Sequence, residues 1–544
     1  MKKCVALVLT LVLVLPLLLT TALAETIVEA SGWVVPETPL KLEVFAGQSD
    51  PEKVNGYLEK LLAWVKEDFN VDITYSVFDI EMDQKLNLML ASNDYPAVIK
   101  NLSAAQVSRF AQMGKVVDLA PYMDTAGANI KADLNKWGVY ETFFDAENHL
   151  YALPTMYGYV NEPDLTGYLR YDWWQEMGEP AYGTPEEYYE LLKAMLALHP
   201  TNANGEKAYA ISAYEMSGGG TRMLLQTLAG MWGLSLLYDV TEDGTFTYWT
   251  NTPAGFELTQ YMNRFYQEGL MDPDAFINTY DDWRAKFSTE RIMGGFGDWW
   301  RCWNAGHEVW QQLDPDWKED QRFVQIGLKA PGAEKSLMTA KSARGWETFT
   351  IITDKAENPE EILRWIDFTT TDVGKWITGY GLPGTENALW EMKDGAPVFS
   401  EGPMNRLLTD KFDWEVDMRG NGAQFLTLCN SLEGVRGNNT SYYYDHSFTD
   451  LMPWWRIMIE NCSDTVYDAT LQRMISIDPT SDLGMKSERV NDAIISLWAK
   501  CVMSESDDEL AANYQALADK VNELGIQDIE KFFTESYQAL MLAE

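Results

Sequence analysis

A repeated switch of hydrophobic period between residues 40 and 99 constrains this chain more than any other feature. Leu40-Lys41-Leu42-Glu43-Val44-Phe45 alternates with period two, as a strand does. Val54, Leu58, Leu61, Leu62 and Val65 then recur at helical spacing, and Val71, Ile73, Tyr75 and Val77 alternate again. Met82 to Ala91 suits a second helix, and Pro96-Ala97-Val98-Ile99 suits a short strand. Strand-helix-strand-helix-strand predicts an α/β fold with a parallel sheet wound on both faces. Ligands of such sheets lie outside the carboxyl ends of the strands. That rule makes Gln48, after the first strand, and Asp94, in the Asn93-Asp94 turn, candidate ligand contacts.

The rest of the chain is too long for one core. Lys2 and Lys3, an apolar run from Val5 to Leu19, and Ala22-Leu23-Ala24 describe a secretory signal peptide over residues 1–24, cut before Glu25. Cys4 precedes the apolar run, so it is not the lipid-modified cysteine that follows a signal core. Export is expected, to an extracellular, envelope-associated or periplasmic location. The remaining chain of about 520 residues calls for at least two lobes. Residues 25–38, with Pro36 and nearby Pro39, read as a tether. Thr184-Pro185-Glu186-Glu187 is a helix start with a threonine cap and proline in the first turn, and Asn358-Pro359-Glu360-Glu361 repeats the device. From Glu488 onward the pattern is that of two or three amphipathic helices.

Charge and motif content exclude several classes of function. The formal charge of −40 becomes −42 once Lys2 and Lys3 leave with the signal peptide. Such a surface repels phosphate backbones and anionic lipid, so no nucleic-acid partner is expected. Cys302, Cys429, Cys462 and Cys501 form no C-x-x-C pair, which argues against zinc and leaves any disulfide pairing open. The chain has no H-E-x-x-H, G-x-S-x-G or G-x-x-x-x-G-K-[ST] sequence, and His149, His199, His307 and His446 are not spaced as a metal pair. No enzyme chemistry and no cofactor are expected. Two of the 82 acids could still stand as a glycosidase pair, because such a pair is defined by distance in space. A secreted glycoside hydrolase is therefore the competing reading.

Several phrases, in order along the chain, resemble the family-1 extracellular solute-binding proteins of bacterial ABC importers in their long form. Lys85 to Pro96 (KLNLMLASNDYP) is similar to the family's "lmlasGdlPD", and Gly114-Lys115-Val116-Val117-Asp118-Leu119 with Pro121-Tyr122 to "G.l.dL.py". His149 to Pro154 (HLYALP) matches "g.iyalP", and Leu169 to Trp174 (LRYDWW) resembles "iRkDWl". Pro185-Glu186-Glu187-Tyr188, Gly269 to Pro273 (GLMDP) and the stretch from Gly345-Trp346 to Asp367-Phe368 follow in the family's sequence. The resemblance implies a two-lobe periplasmic-binding-protein-like fold of type II, with hinged lobes and a central ligand cleft. The lobes are expected at 39–154 plus about 347–395, and at 155–346 plus about 396–544. It implies a monomer that captures a carbohydrate, an oligosaccharide by family habit, and delivers it to ABC permease subunits. The family's lipid-attachment cysteine is missing. Some relatives hold calcium in a "DpnGNGk.DE" loop. The corresponding residues here, His199 to Tyr209 (HPTNANGEKAY), have lost the aspartates, so no metal is expected.

A sugar is held by flat aromatic platforms under its C–H faces and by carboxylates, amides and guanidinium groups on its hydroxyls. Asp298-Trp299-Trp300, after a glycine-rich turn, and Trp346-Glu347, beside the second lobe crossing, carry that combination. Adjacent Trp299 and Trp300 cannot share one face of a strand, so one of them is structural. Tyr157 follows the proline that enters the first crossing. Trp232, between Gly230 and Gly233, is read as a ligand platform or a helix-packing residue. Arg170 is read as a ligand contact or as a structural partner of Asp172.

Overall fold

The computed structural model describes residues 27–145, 147–157, 165–214, 219–298, 306, 309–310, 316–318, 320–342, 346–385, 388–402, 416, 419–422, 425–430, 453–477 and 481–542. The chain divides into two compact units, Met1–Tyr159 with Ala343–Leu451, and Val160–Ser342 with Met452–Glu544. Among the described residues no helix is long and apolar enough to cross a membrane.

The first unit is the α/β body that the period switches predict. β1 (Leu40–Gln48), α1 (Pro51–Phe69), β2 (Val71–Phe78), α2 (Met82–Ser92), β3 (Val98–Leu102) and α3 (Ala104–Gln112) follow in order. Helix α1 begins where Asp50 accepts hydrogen bonds from the Glu52 and Lys53 amides, and it ends at Asn70 in the left-handed region. The sheet order is β2-β1-β3-β8-β4, where β4 is Leu153–Tyr157 and β8 is Trp346–Ile352. β1 runs parallel to β2 and β3, whereas β8 is antiparallel to both of its neighbours. Period two divides each strand between two cores. Leu42, Val44, Val98 and Ile352 enter one cluster, and Phe45, Ile99 and Ile351 enter the other. A sheet covered on both faces follows from that division.

Two expectations fail in this unit. The proposed tether is docked: Ile27 lies in the core, and the Trp33 ring stands 5.2 Å from that of Trp365 and 5.1 Å from that of Phe368. The Trp33 indole N–H donates to the Phe69 carbonyl at 2.9 Å, and the Asn70 amide donates to that of Pro36 at 2.7 Å. Proline-flanked sequence looked like a linker, but one tryptophan offers enough apolar area to hold it down. The second failure is the assignment of residues from about 396 to 451 to the other lobe, since the first unit runs to Leu451. Leu426, Leu428 and Cys429 belong to the first unit's core. Asn430 exchanges backbone hydrogen bonds with Pro154 and Met156.

The second unit centres on a three-stranded antiparallel sheet, β6-β5-β7, with β5 Leu165–Arg170, β6 Gly294–Asp298 and β7 Phe323–Ile326. The glycine-rich turn expected at 295–297 lies within strand β6 itself. A Cβ on Gly294 would come within 2.6 Å of the Tyr168 carbonyl, and one on Gly295 within 2.5 Å of the Tyr168 hydroxyl. The Tyr188 hydroxyl donates to the Tyr168 carbonyl at 2.6 Å and accepts from the Gly295 amide at 2.9 Å. Tyr188 lies on α4 (Pro185–Leu198), which starts with the predicted Thr184 cap, made a capping box by the Glu187 side chain. Around this sheet pack α5 (Gly219–Met231), α6 (Pro253–Gln267) and α7 (Tyr280–Ser288). α8 (Pro359–Phe368), in the first unit, starts after Asn358, which makes no side-chain cap bond, unlike Thr184.

The predicted C-terminal helices are α9 (Asp482–Val502), α10 (Asp507–Glu523) and α11 (Ile526–Met541). The Trp498 indole donates to Thr259, and the Asn263 amide donates to the carbonyls of Val502 and Ser504, which fastens α9 to α6. Cys429, Cys462 and Cys501 are buried free thiols, while Cys302 lies outside the described residues. Burial pushes the Cys501 thiol up to about 12, so little of it is thiolate near neutrality.

A buried charge network ties α7 to the loop before it. Lys286 donates to both oxygens of Asp272 at 2.9 and 2.8 Å, to Asp274 at 3.0 Å and to Asn278 at 2.9 Å. Burial raises the Asp272 carboxyl, but the bonds from Lys286, Ser212 and Asn278 outweigh it and hold the group below its usual range. A depressed carboxyl lends stability above its unfolded value of about 3.9 and loses it as pH falls through the folded value. Lys286→Met strands Asp272 as a buried, uncompensated charge. Urea unfolding at neutral pH should show a loss of about 3–5 kcal/mol, narrowing in acid as Asp272 protonates.

Candidate functional site

The carboxyl end of the first unit's sheet gathers four of the candidates on one rim. β1 ends at Gln48, which is exposed and paired with Phe78 at the end of β2. β3 ends at Leu102, opposite Phe349 of β8. β8 enters on the same rim with Trp346 and Glu347, and Trp346 pairs with Tyr157 at the end of β4. Strands stand about 4.8 Å apart, so Gln48 and Glu347, two strands apart, are separated by roughly 10 Å along the rim. Glu347 is half-buried. The side chains of Tyr157 and Trp346 lie outside the described part, and only their strand positions enter here.

Asp94 does not join them. It follows α2 and precedes β3, and a helix-to-strand connection reaches the amino end of a parallel strand. Its amide bonds the Met89 carbonyl, and the neighbouring Tyr95 hydroxyl donates to Asp354 at 2.7 Å, just beyond the far end of β8. Asp94 is exposed on the opposite edge of the sheet from Gln48.

In the second unit the strand register separates Asp298 from Arg170. Asp298 ends β6 opposite Leu165, the first residue of β5 after the chain enters this unit. Its side chain is buried. Arg170 is the last residue of β5, five positions on, or about 17 Å away. Its guanidinium grips Asp172 with two hydrogen bonds at 2.7 and 2.9 Å and donates to Glu290 at 2.9 Å. The rings of Trp173 and Trp310 lie 4.2 and 4.3 Å from it. Burial raises the Asp172 carboxyl, and the Arg170 charge opposes that rise. Arg170 is thus a structural partner, because its Nε and Nη2 groups are bonded to carboxylates and its plane lies between two rings inside the unit.

Trp232 is also resolved toward packing. Its indole N–H donates to Glu257 at 3.1 Å, and its ring lies 5.4 Å from that of Tyr261 on α6. The flanking glycines serve the backbone. A Cβ on Gly230 would meet the Leu337 carbonyl at 2.5 Å, and Gly233 adopts φ +81 after the helix. Trp299 and Trp300, directly after Asp298, lie outside the described residues.

Two rim residues escaped the sequence reading. Asn101, at φ +62, donates to the Ala46 carbonyl at 2.8 Å and steadies the end of β1. Asn430 donates from its side chain to the Met156 carbonyl at 2.6 Å, beside Tyr157. Asn101 sits in a strand that reads as ordinary, and Asn430 lies 274 residues from its partner, so no local pattern marks either.

Arg170→Lys keeps the charge but loses the two-pronged grip on Asp172 and the fit between the indoles. Chemical denaturation should show a loss of roughly 2 kcal/mol. Asp94→Ala, on an exposed turn, should leave stability within about 0.5 kcal/mol.

No family model matches the chain. It is 21% identical over 389 residues to the fructooligosaccharide ABC transporter substrate-binding protein FusA of Streptococcus pneumoniae, covering 69% of this chain and 70% of that protein. The solved structure of an EF-hand mutant of FusA with fructo-nystose superposes with a TM-score of 0.71 at 17% identity, over 93% of this chain and all of the other. The alginate-binding protein AlgQ2, solved without calcium ion, superposes with a TM-score of 0.64 at 16% identity, over 93% of this chain and 99% of its own. At these identities the structural likenesses establish the fold, that of two-lobe solute-binding proteins.

Proposed function

We propose that this chain, a solute-binding protein of the ABC-importer kind by fold and by sequence relatives, captures an oligosaccharide outside the cytoplasm and passes it to permease subunits. It acts as a monomer and returns its ligand chemically unchanged. Capture works by closure: a ligand that prefers the closed arrangement of the two units shifts their equilibrium toward it. The observation that carries this reading is the rim of the first unit's sheet. Gln48, Glu347 and Tyr157 fall on one edge, at the end of the sheet where solutes bind in α/β folds. Asp298, at the end of β6 and opposite Leu165 of β5, is the carboxylate proposed from the second unit.

An amide and two carboxylates suit sugar hydroxyls, and Trp346 with one of the adjacent pair Trp299 and Trp300 supplies the platforms. The fructooligosaccharide named for FusA makes short fructans the first ligands to try. Arg170, Trp232 and Asp94 drop out of the proposed site for the packing and topological reasons above.

A thermal-shift screen of mono- and oligosaccharides should yield a stabilising ligand, and calorimetry then gives its affinity. Trp299→Ala and Trp346→Ala should each weaken binding about tenfold, or about 1.4 kcal/mol, with little change in melting temperature. Unchanged affinity in both variants removes these residues from the site. Chromatography of the incubated sugar should return it intact, and cleavage products would favour the hydrolase reading.

A further inference from the structure

Solved relatives of this fold include an EF-hand mutant and a protein prepared without calcium ion, which raises the question of the matching loop here. Calcium takes six to eight oxygens at about 2.3–2.6 Å, several of them carboxylate. Residues 199–209 offer one carboxylate, Glu206, beside the positive charge of Lys207. Oxygens of Asn202 and Glu206 are already committed to N–H groups. The Asn202 side-chain oxygen accepts from the Asn204 and Glu206 amides, both at 3.0 Å. The Asn202 amide nitrogen donates to the Glu206 carboxylate at 2.7 Å and to the Thr289 carbonyl at 3.0 Å. Across the loop, the Asn202 amide N–H donates to the Glu206 carbonyl, and the Gly205 N–H donates to the Asn202 carbonyl. This donor set does not fit calcium.

We infer that Asn202 does the work of a cation in this loop, closing it through hydrogen bonds from one side chain, so that folding of this unit is independent of calcium. The loop has a mechanical task. Asn202 and Arg291, which donates to the Lys207 carbonyl at 2.9 Å, join it to residues 289–291 at the end of α7. Residues 209 and 210 then pair with 291–294, where β6 begins its run to Asp298. Asn202 is therefore a positioning residue for that strand and touches no ligand itself.

Thermal unfolding of the whole protein in EDTA and in millimolar calcium chloride tests the inference. The expected result is one melting temperature in both buffers. Asn202→Ala should melt several degrees lower and gain nothing from calcium, whereas Asn202→Asp, which keeps the acceptor and loses the donor, should fall between the two. A calcium-induced rise in the unaltered protein overturns the inference, and so does an Asn202→Ala variant as stable as the parent.

Discussion

The antiparallel seating of β8 between β3 and β4 is the interaction on which the first unit depends. Phe349 faces both Leu102 and Pro154, so a single strand satisfies backbone groups on two neighbours that lie earlier in the chain. Before that strand returns, the chain has traversed Val160–Ser342, a compact unit of its own. Closing so long an excursion costs loop entropy, which grows slowly with length, and the ladder hydrogen bonds and the burial of Phe349, Ile351 and Ile352 offset it. The contacts are far apart in sequence, and such non-local pairing raises contact order, which across proteins goes with slower folding. The same seating brings Trp346 and Glu347 to the rim that already holds Gln48.

Three polar side chains in the second unit are held by partners from a different segment. Tyr188 joins α4 to two strands, Arg170 joins β5 to Glu290, and Lys286 joins α7 to Asp272. Replacing any one of them leaves a desolvated partner behind, which is costlier than the intact pair is favourable. Such groups specify the register of neighbouring segments. They also explain why a charged residue in a family-like phrase, such as Arg170, need not meet solute.

Periodicity, caps and composition made much of this architecture legible. Alternation in Leu40–Phe45 and Val71–Val77, the cap at Thr184 and the C-terminal amphipathic helices are local facts, set by φ/ψ preference and by which side of an element is apolar. The position of Gln48 follows from the same local logic, since a strand's carboxyl end is readable once its direction is known. Asp94 was misplaced because the rule about carboxyl ends was applied to a turn that leads into a strand. The docked segment around Trp33 and the late core residues Leu426 and Leu428 were invisible, since their partners are remote in sequence.

By itself, then, the chain's order of residues determines an acidic α/β protein with more than one core, and it names the side chains from which a sugar site could be made. The tertiary structure alone decides which of them stand together. Gln48, Glu347 and Tyr157 share a rim, Asp298 ends β6, and Arg170 and Trp232 are spent on packing. The physical reason is that strand pairing and buried charge depend on neighbours brought in from hundreds of residues away, and no local pattern records who those neighbours are.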